Sequence, residues 1–231
     1  MPLEITGNYL SRCTPDSAVP EITVPEGVKT IGYRAFAGCP ALRFLSLPIS
    51  LRQIEDHAFD QCRLLESLTV PQRVSMIGIS AFCRQTTLVF RTNSTALTVP
   101  PRKSYNDSGD ASVLAHILHI KNRAELPELF QSLSAFSFRA AAGIWMMQTE
   151  TIKCAEDWLL QNMEHILEMY LSADCINMLH LLLNTHLLSE EMMEAAISLA
   201  IEKHNHELYM LLVNHKQDTF GIAGGTGTLR L

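Results

Sequence analysis

Residues 22–44 read ITVPEGVKTIGYRAFAGCPALRF, residues 45–67 read LSLPISLRQIEDHAFDQCRLLES, and residues 68–90 read LTVPQRVSMIGISAFCRQTTLVF. Laid under one another, these three 23-residue segments agree at nine positions. Each opens on an apolar residue (Ile22, Leu45, Leu68), places another two residues on (Val24, Leu47, Val70) and follows it with Pro25, Pro48 or Pro71. Val28, Leu51 and Val74 come next, then Ile31, Ile54 and Ile77, then the pairs Ala35-Phe36, Ala58-Phe59 and Ala81-Phe82. Cys39 and Cys62 match each other, with Gln85 in the third copy, and Leu42, Leu65 and Leu88 close the set. Agreement at a fixed period of this length is the signature of a solenoid, in which each unit buries its apolar face against its neighbours.

One copy supplies the physics of one coil. The spacing of Ile22 and Val24 suits a short strand, because side chains two apart share a face. Proline cannot donate to a ladder, so Pro25 ends that strand. Phe36, Phe59 and Phe82 are expected to stack as an apolar spine, one ring per coil, and the small Ala35, Ala58 and Ala81 let backbone pack beside it. A coil cannot cover its own core, so about three are needed, and three are present.

The order I-x-V-P-x-x-V-x-x-I-x-x-x-A-F-x-x-C-x-x-L resembles the BspA-like leucine-rich repeat, closely over residues 22–90 and in outline over about residues 5–99. The resemblance implies a short arc with a parallel sheet on one face, a bacterial source, and a role in adhesion or protein recognition rather than catalysis. The third copy departs from it: Gln85 stands where cysteine is expected and Cys83 lies two positions early, so the solenoid is expected to become irregular there.

Composition narrows the function classes. The 231 residues carry a net charge of −6, which disfavours nucleic acid as the main partner. The charge is uneven: residues 1–110 hold 11 basic and 10 acidic residues, residues 111–231 hold 7 and 14. Met1-Pro2-Leu3-Glu4 lacks the basic start of a signal peptide, and no run of about 18 apolar residues occurs, so no membrane span is expected and a cytoplasmic location is. Six cysteines include no C-x-x-C pair. Cys39 and Cys62 sit one coil apart at an interior position, close enough to bridge, but a cytosolic setting favours buried free thiols.

Nine of the ten prolines lie at or before Pro101, and the change of texture there sets the expected division: a capped solenoid over 1–101, a linker over 102–112, a helical domain over 113–221 and a flexible tail over 222–231. Residues 5–21 read as the cap, with a Gly7-Asn8 turn and a second turn at Thr14-Pro15-Asp16-Ser17. Leu97-Thr98-Val99 reads as a last strand. Helices are expected from Val113 to Ile120, from Leu126 to Leu133 with Pro127 in its first turn, over 135–149, and from Ala155 to Leu171. Ser189 precedes Glu190 and Glu191 as a helix start, and Ala196, Ile197, Ala200 and Ile201 form the expected inner stripe of a helix reaching Lys203. Residues 177–184 resemble residues 208–214, and residues 196–212 are similar to the paired helices of an ankyrin repeat, without its Thr-Pro-Leu-His opening. The fold class is therefore α+β, a leucine-rich-repeat solenoid followed by an all-α domain of helical hairpins.

The best binding candidates are the outward strand positions and their flanks: Glu21, Thr23, Phe44, Ser46, Ser67 and Thr69. They make a regular, mostly polar surface with one aromatic ring. His116 and His119, like His204 and His206, have no carboxylate or cysteine at ligand spacing and read as surface residues. Gly221 to Gly227 is glycine-rich but is followed by only four residues, too few for a phosphate-binding turn and helix. No nucleophile elbow occurs. No catalytic, cofactor or metal residue is assigned. The expectation is a non-enzymatic module that binds another protein through the sheet face or the helical hairpins. Scattered Arg43, Arg63, Arg73 and Arg84 could instead meet the acidic helical half. The abundance of His and Glu in that half keeps open an enzyme or small-molecule binder with a site between the two halves.

Overall fold

The computed structural model describes residues 3–14, 19–101, 109–149 and 152–221. Part of the Thr14–Ser17 turn, residues 102–108 of the expected linker and the expected tail over 222–231 lie outside the described residues. The chain is α+β: a three-turn solenoid followed, among the described residues, by seven α-helices.

Strands β1 (Leu3–Thr6) and β2 (Tyr9–Cys13) form an antiparallel hairpin that turns at Gly7-Asn8, with Gly7 in the left-handed region. Each coil then contributes two strands where the sequence suggested one. The first series is β3 (Glu21–Thr23), β5 (Phe44–Ser46) and β7 (Ser67–Val70), and the second is β4 (Thr30–Ile31), β6 (Gln53–Ile54) and β8 (Met76–Ile77). The second series joins the hairpin in one sheet of order β1-β2-β4-β6-β8, parallel from β2 onwards, with Ile31, Ile54 and Ile77 in register. Two-residue strands are too short to show an alternation, so pattern reading passed over them.

Between these strands a third ladder runs through the aromatic spine. Phe36 N–H donates to Ala58 C=O and Phe59 N–H to Ala81 C=O, both at 2.8 Å. Arg34, His57 and Ser80, one per coil, take left-handed backbone angles just before the Ala-Phe pair. The rings stack as expected: Phe36 on Phe59 at 5.2 Å and Phe59 on Phe82 at 5.7 Å between centroids, close to parallel. All three rings are buried.

The third coil is irregular, as its sequence suggests. Strand β9 (Thr87–Arg91) pairs with β7 in the register Leu68↔Leu88, a step of 20 residues instead of 23. Leu88 therefore opens the next strand and does not match Leu65. Thr86, buried and bonded through its N–H to Cys83 C=O, takes the place of Leu65, whose N–H bonds Cys62 C=O. Cys83 likewise holds the position assigned to Gln85: Cys62 Sγ donates to Phe36 C=O at 3.2 Å and Cys83 Sγ to Phe59 C=O at 3.3 Å. Strand β10 (Ala96–Val99) then reverses and pairs antiparallel with β9, ending the parallel series.

The helices are α1 (Asp110–His119), α2 (Leu126–Ser132), α3 (Phe136–Thr149), α4 (Lys153–Ser172), α5 (Ile176–Leu183), α6 (Glu190–Glu202) and α7 (His206–Phe220), with a 3-10 turn at Arg123–Glu125. Local chemistry explains several ends. Ser189 Oγ accepts from Met192 N–H at 3.3 Å and Asn205 Oδ1 from Leu208 N–H at 3.1 Å, each satisfying a free first-turn donor. Asp110, itself buried, receives the N–H groups of Ser134 and Ala135 at 2.7 and 3.0 Å and so ties the start of α1 to the start of α3. Leu159, Met163, Ile166 and Tyr170 form the buried stripe of α4. The inner stripe of α6 differs from the expected one: Met193, Ala196 and Ala200 are buried, Ile197 is half-buried and Ile201 is 57% exposed.

The core is continuous from solenoid to helices. Phe90 meets Phe138 edge to face at 6.4 Å. Thr98 N–H points to Met178 Sδ at 3.1 Å, and Asn177 Nδ2 donates to Ala96 C=O at 3.0 Å. His119, at the end of α1, reaches Gln72 C=O on the third coil. The helices thus cover the last strands of the solenoid directly.

Candidate functional site

Parallel pairing of β3 with β5 sets Glu21 beside Phe44 and Thr23 beside Ser46, with Ile22 and Leu45 facing inward between them. β7 presents Ser67 and Thr69 on the same outward side, while Leu68 and Val70 are buried. All six side chains singled out in the sequence are exposed. Five of them, Glu21, Phe44, Ser46, Ser67 and Thr69, line one groove of about 760 Å³; Thr23 stands outside it.

The groove exists because the sheet is interrupted. β5 pairs with β3, and β7 pairs with β9, but β5 and β7 share no ladder among the described residues. Ile22, Val24, Leu68 and Val70 are sealed in the core, whereas their equivalents Leu45 and Leu47 are only partly buried against it and form an apolar floor. Phe44, 63% exposed, and Ile49, 73% exposed, stand on one rim. Arg73 and Arg91 stand on the other side, and Glu21 lies at the near end. None of these three charged residues is in an ion pair within the described residues, so their charge faces the groove and solvent.

Sequence reasoning missed Leu45, Leu47, Ile49 and Arg91, and named Arg73 only as a charge that could meet the helical half. The two leucines occupy core positions of the repeat, and nothing local marks the break beside them. Ile49 did carry a signal: it follows the proline, where the other copies have Glu26 and Gln72. An apolar residue at a position that is otherwise polar is a departure the repeat itself does not require.

Cys13, Cys62 and Cys175 offer no competing reactive centre, whereas the hydrogen bond with Cys13 lowers Cys39, which is itself buried. All six cysteines are free, with Cys13, Cys39 and Cys62 stacked behind the spine. A hydrogen bond to Cys39, and then burial, pushes the Cys13 thiol above its ordinary range; burial pushes Cys62 up to about 12 and Cys175 up to about 11. Thiols so held stay protonated near neutrality and are poor nucleophiles. Burial, then the neighbouring His186, lowers His215. His116, His119, His204 and His206 do not converge, and among the described residues no group of three or more His, Cys, Asp or Glu is placed to hold a metal ion. No described helix is long and apolar enough to cross a membrane.

Residues 11–107 match the family model described as BspA type leucine rich repeat region (6 copies). The solenoid is similar to a leucine rich cell surface protein from Faecalibacterium prausnitzii A2-165, at 24% identity over 40% of this chain and 27% of that one, with a TM-score of 0.30. It is also similar to a leucine rich repeat protein from T. pallidum, at 20% identity over 36% of this chain and 64% of that one, with a TM-score of 0.28. The chain spans less than two thirds of either protein. No curated protein matches it.

Proposed function

We propose that this chain is a non-enzymatic recognition module that binds another protein through the outward face of β3, β5 and β7. The observation that carries the reading is the interrupted sheet, which opens an apolar floor between an exposed aromatic rim and two arginines that make no ion pair among the described residues. Such a surface offers what extended-segment recognition needs: pockets for alternate side chains, and cations to fix orientation. The segment it suits is extended, with an apolar side chain over Leu45 and Leu47 and an acidic one toward Arg73 and Arg91. The leucine-rich-repeat match over residues 11–107 supports the same class of role. A small-molecule site between the halves fits less well, because Phe90, Phe138, Thr98 and Met178 fill that junction. The helical hairpins, similar in residue pattern to ankyrin pairs, would add a second surface.

The test is affinity capture from the source cell with the full chain as bait, in parallel with the double variant Phe44→Lys and Thr69→Lys. Both positions are exposed, so the fold should survive. A partner held by the wild type and lost by the variant supports the reading; a partner retained by the variant places recognition elsewhere.

A further inference from the structure

A second groove, of about 610 Å³, lies between α4 and α6. Its floor is apolar, built from Leu167 on α4 and from Met192, Ala196 and Leu199 on α6. Its rim is acidic on both sides, with Glu164 and Glu168 from α4 and Glu191 and Glu202 from α6. Glu164 and Glu168 are four apart, and so share a face of α4, where like charges repel. Glu191, Ala195, Ser198 and Glu202 are spaced as one stripe along α6, which keeps the centre of the rim low.

The acids of α6 are treated differently on its two sides. Toward α7, Lys216 pairs with both Glu190 and Glu194. Toward α4, Glu164, Glu191 and Glu202 form no ion pair among the described residues, and Glu168 faces only His165, at 3.7 Å. Lys203, at the end of α6, is turned to Ser172 Oγ at 3.0 Å. The groove is therefore an apolar trough between two rows of uncompensated carboxylates.

We propose that this groove is a docking surface for a cationic amphipathic helix of a partner protein. Leucine- or methionine-like side chains at helical spacing fill the trough, and lysines or arginines on the flanks of that helix meet the four glutamates. From Glu191 to Glu202 the rim runs about 16 Å, room for about three turns. This is helix-in-groove recognition, with specificity and association rate set by charge. It is independent of the solenoid face.

The probe is a fluorescent synthetic peptide of leucine and lysine, about 14 residues long, with leucines at i, i+3, i+4 and i+7. Anisotropy with the full chain gives its Kd. Replacing Glu164 and Glu202 by lysine is expected to weaken binding at least about tenfold. The same charge change at Glu128 and Glu207, exposed on α2 and α7, is expected to alter it less than about twofold. Hydrogen exchange on the wild type, which needs no variant, is expected to show peptide protection over 164–168 and 191–202. Equal weakening by both variant pairs, absence of binding, or protection elsewhere each overturns the proposal. Self-association of the wild type that the Glu164/Glu202 variant abolishes also overturns it, in favour of a second copy as occupant.

Discussion

Phe59 has a ring on either side, Phe36 and Phe82, and no exposure. Phe59→Ala opens a cavity that rigid backbone ladders above and below cannot close, and is expected to cost about 3–5 kcal/mol in urea unfolding. Phe82→Ala, with one stacked neighbour, should cost less. Asp110 is a different kind of buried residue. Asp110→Ala leaves the N–H groups of Ser134 and Ala135 without their acceptor, a loss of about 1–3 kcal/mol by the same measurement, and Asp110→Asn should recover part of it. Titration at this scale has a definite sign. Cys62, ordinarily near 9.0, is raised to about 12 by burial, and burial followed by a hydrogen bond to Glu55 raises Tyr9. A raised value means the folded state keeps the proton, so this stability is full below about pH 9 and is lost as the pH climbs toward 12. The urea midpoint should fall across that window, and Cys62→Ala should flatten the slope. His215 acts oppositely: lowered by burial and then by His186, its contribution is present above its unfolded value and fades as the pH falls.

At the scale of the element, each coil carries a non-glycine residue in the left-handed region just before its Ala-Phe pair, at Arg34, His57 and Ser80. Side chains pay sterically there. Ser80→Gly is expected to be neutral or to raise stability by up to about 1 kcal/mol, against the usual rule that glycine weakens structure. Two residues earlier the prediction reverses. A Cβ on Gly78 would collide with Asp56 and with the Glu55 backbone of the coil before it, so Gly78→Ala should lower the thermal midpoint by several degrees. Much of this coil was legible in sequence: the 23-residue step, the Phe spine, the hairpin turn at Gly7-Asn8 and the outward strand positions all follow from period and residue size. The two-residue strands were not, because pairing with neighbouring coils creates them. Nor were Cys83 and Thr86 as replacements for Gln85 and Leu88, since a shortened coil slides the alignment and leaves residue types that mislead. Ile201 was misplaced because several faces of α6 have helical spacing, and spacing alone does not say which of them its neighbours α4 and α7 cover. The groove's floor was hidden for a related reason: Leu45 and Leu47 differ from Ile22 and Val24 only in what their strand fails to pair with.

At the scale of the whole molecule, the shared core means that each half buries apolar surface against the other. Heating should give one cooperative transition by calorimetry, and a chain cut after Pro101 should expose Phe90, Leu97 and Val99 and aggregate or lose stability. Growth of the repeat array is constrained by the same arrangement. The antiparallel hairpin β1–β2 stands at one end of the parallel series, and the reversal at β10, sealed by α3 and α5, stands at the other. A duplicated 23-residue segment spliced at the Phe44/Leu45 boundary would meet a matching coil on each side and disturb neither end. It would lengthen the proposed binding face by one strand spacing, about 4.8 Å. Gene duplication could thus tune the reach of this surface in steps of one coil while the helical half stayed unchanged.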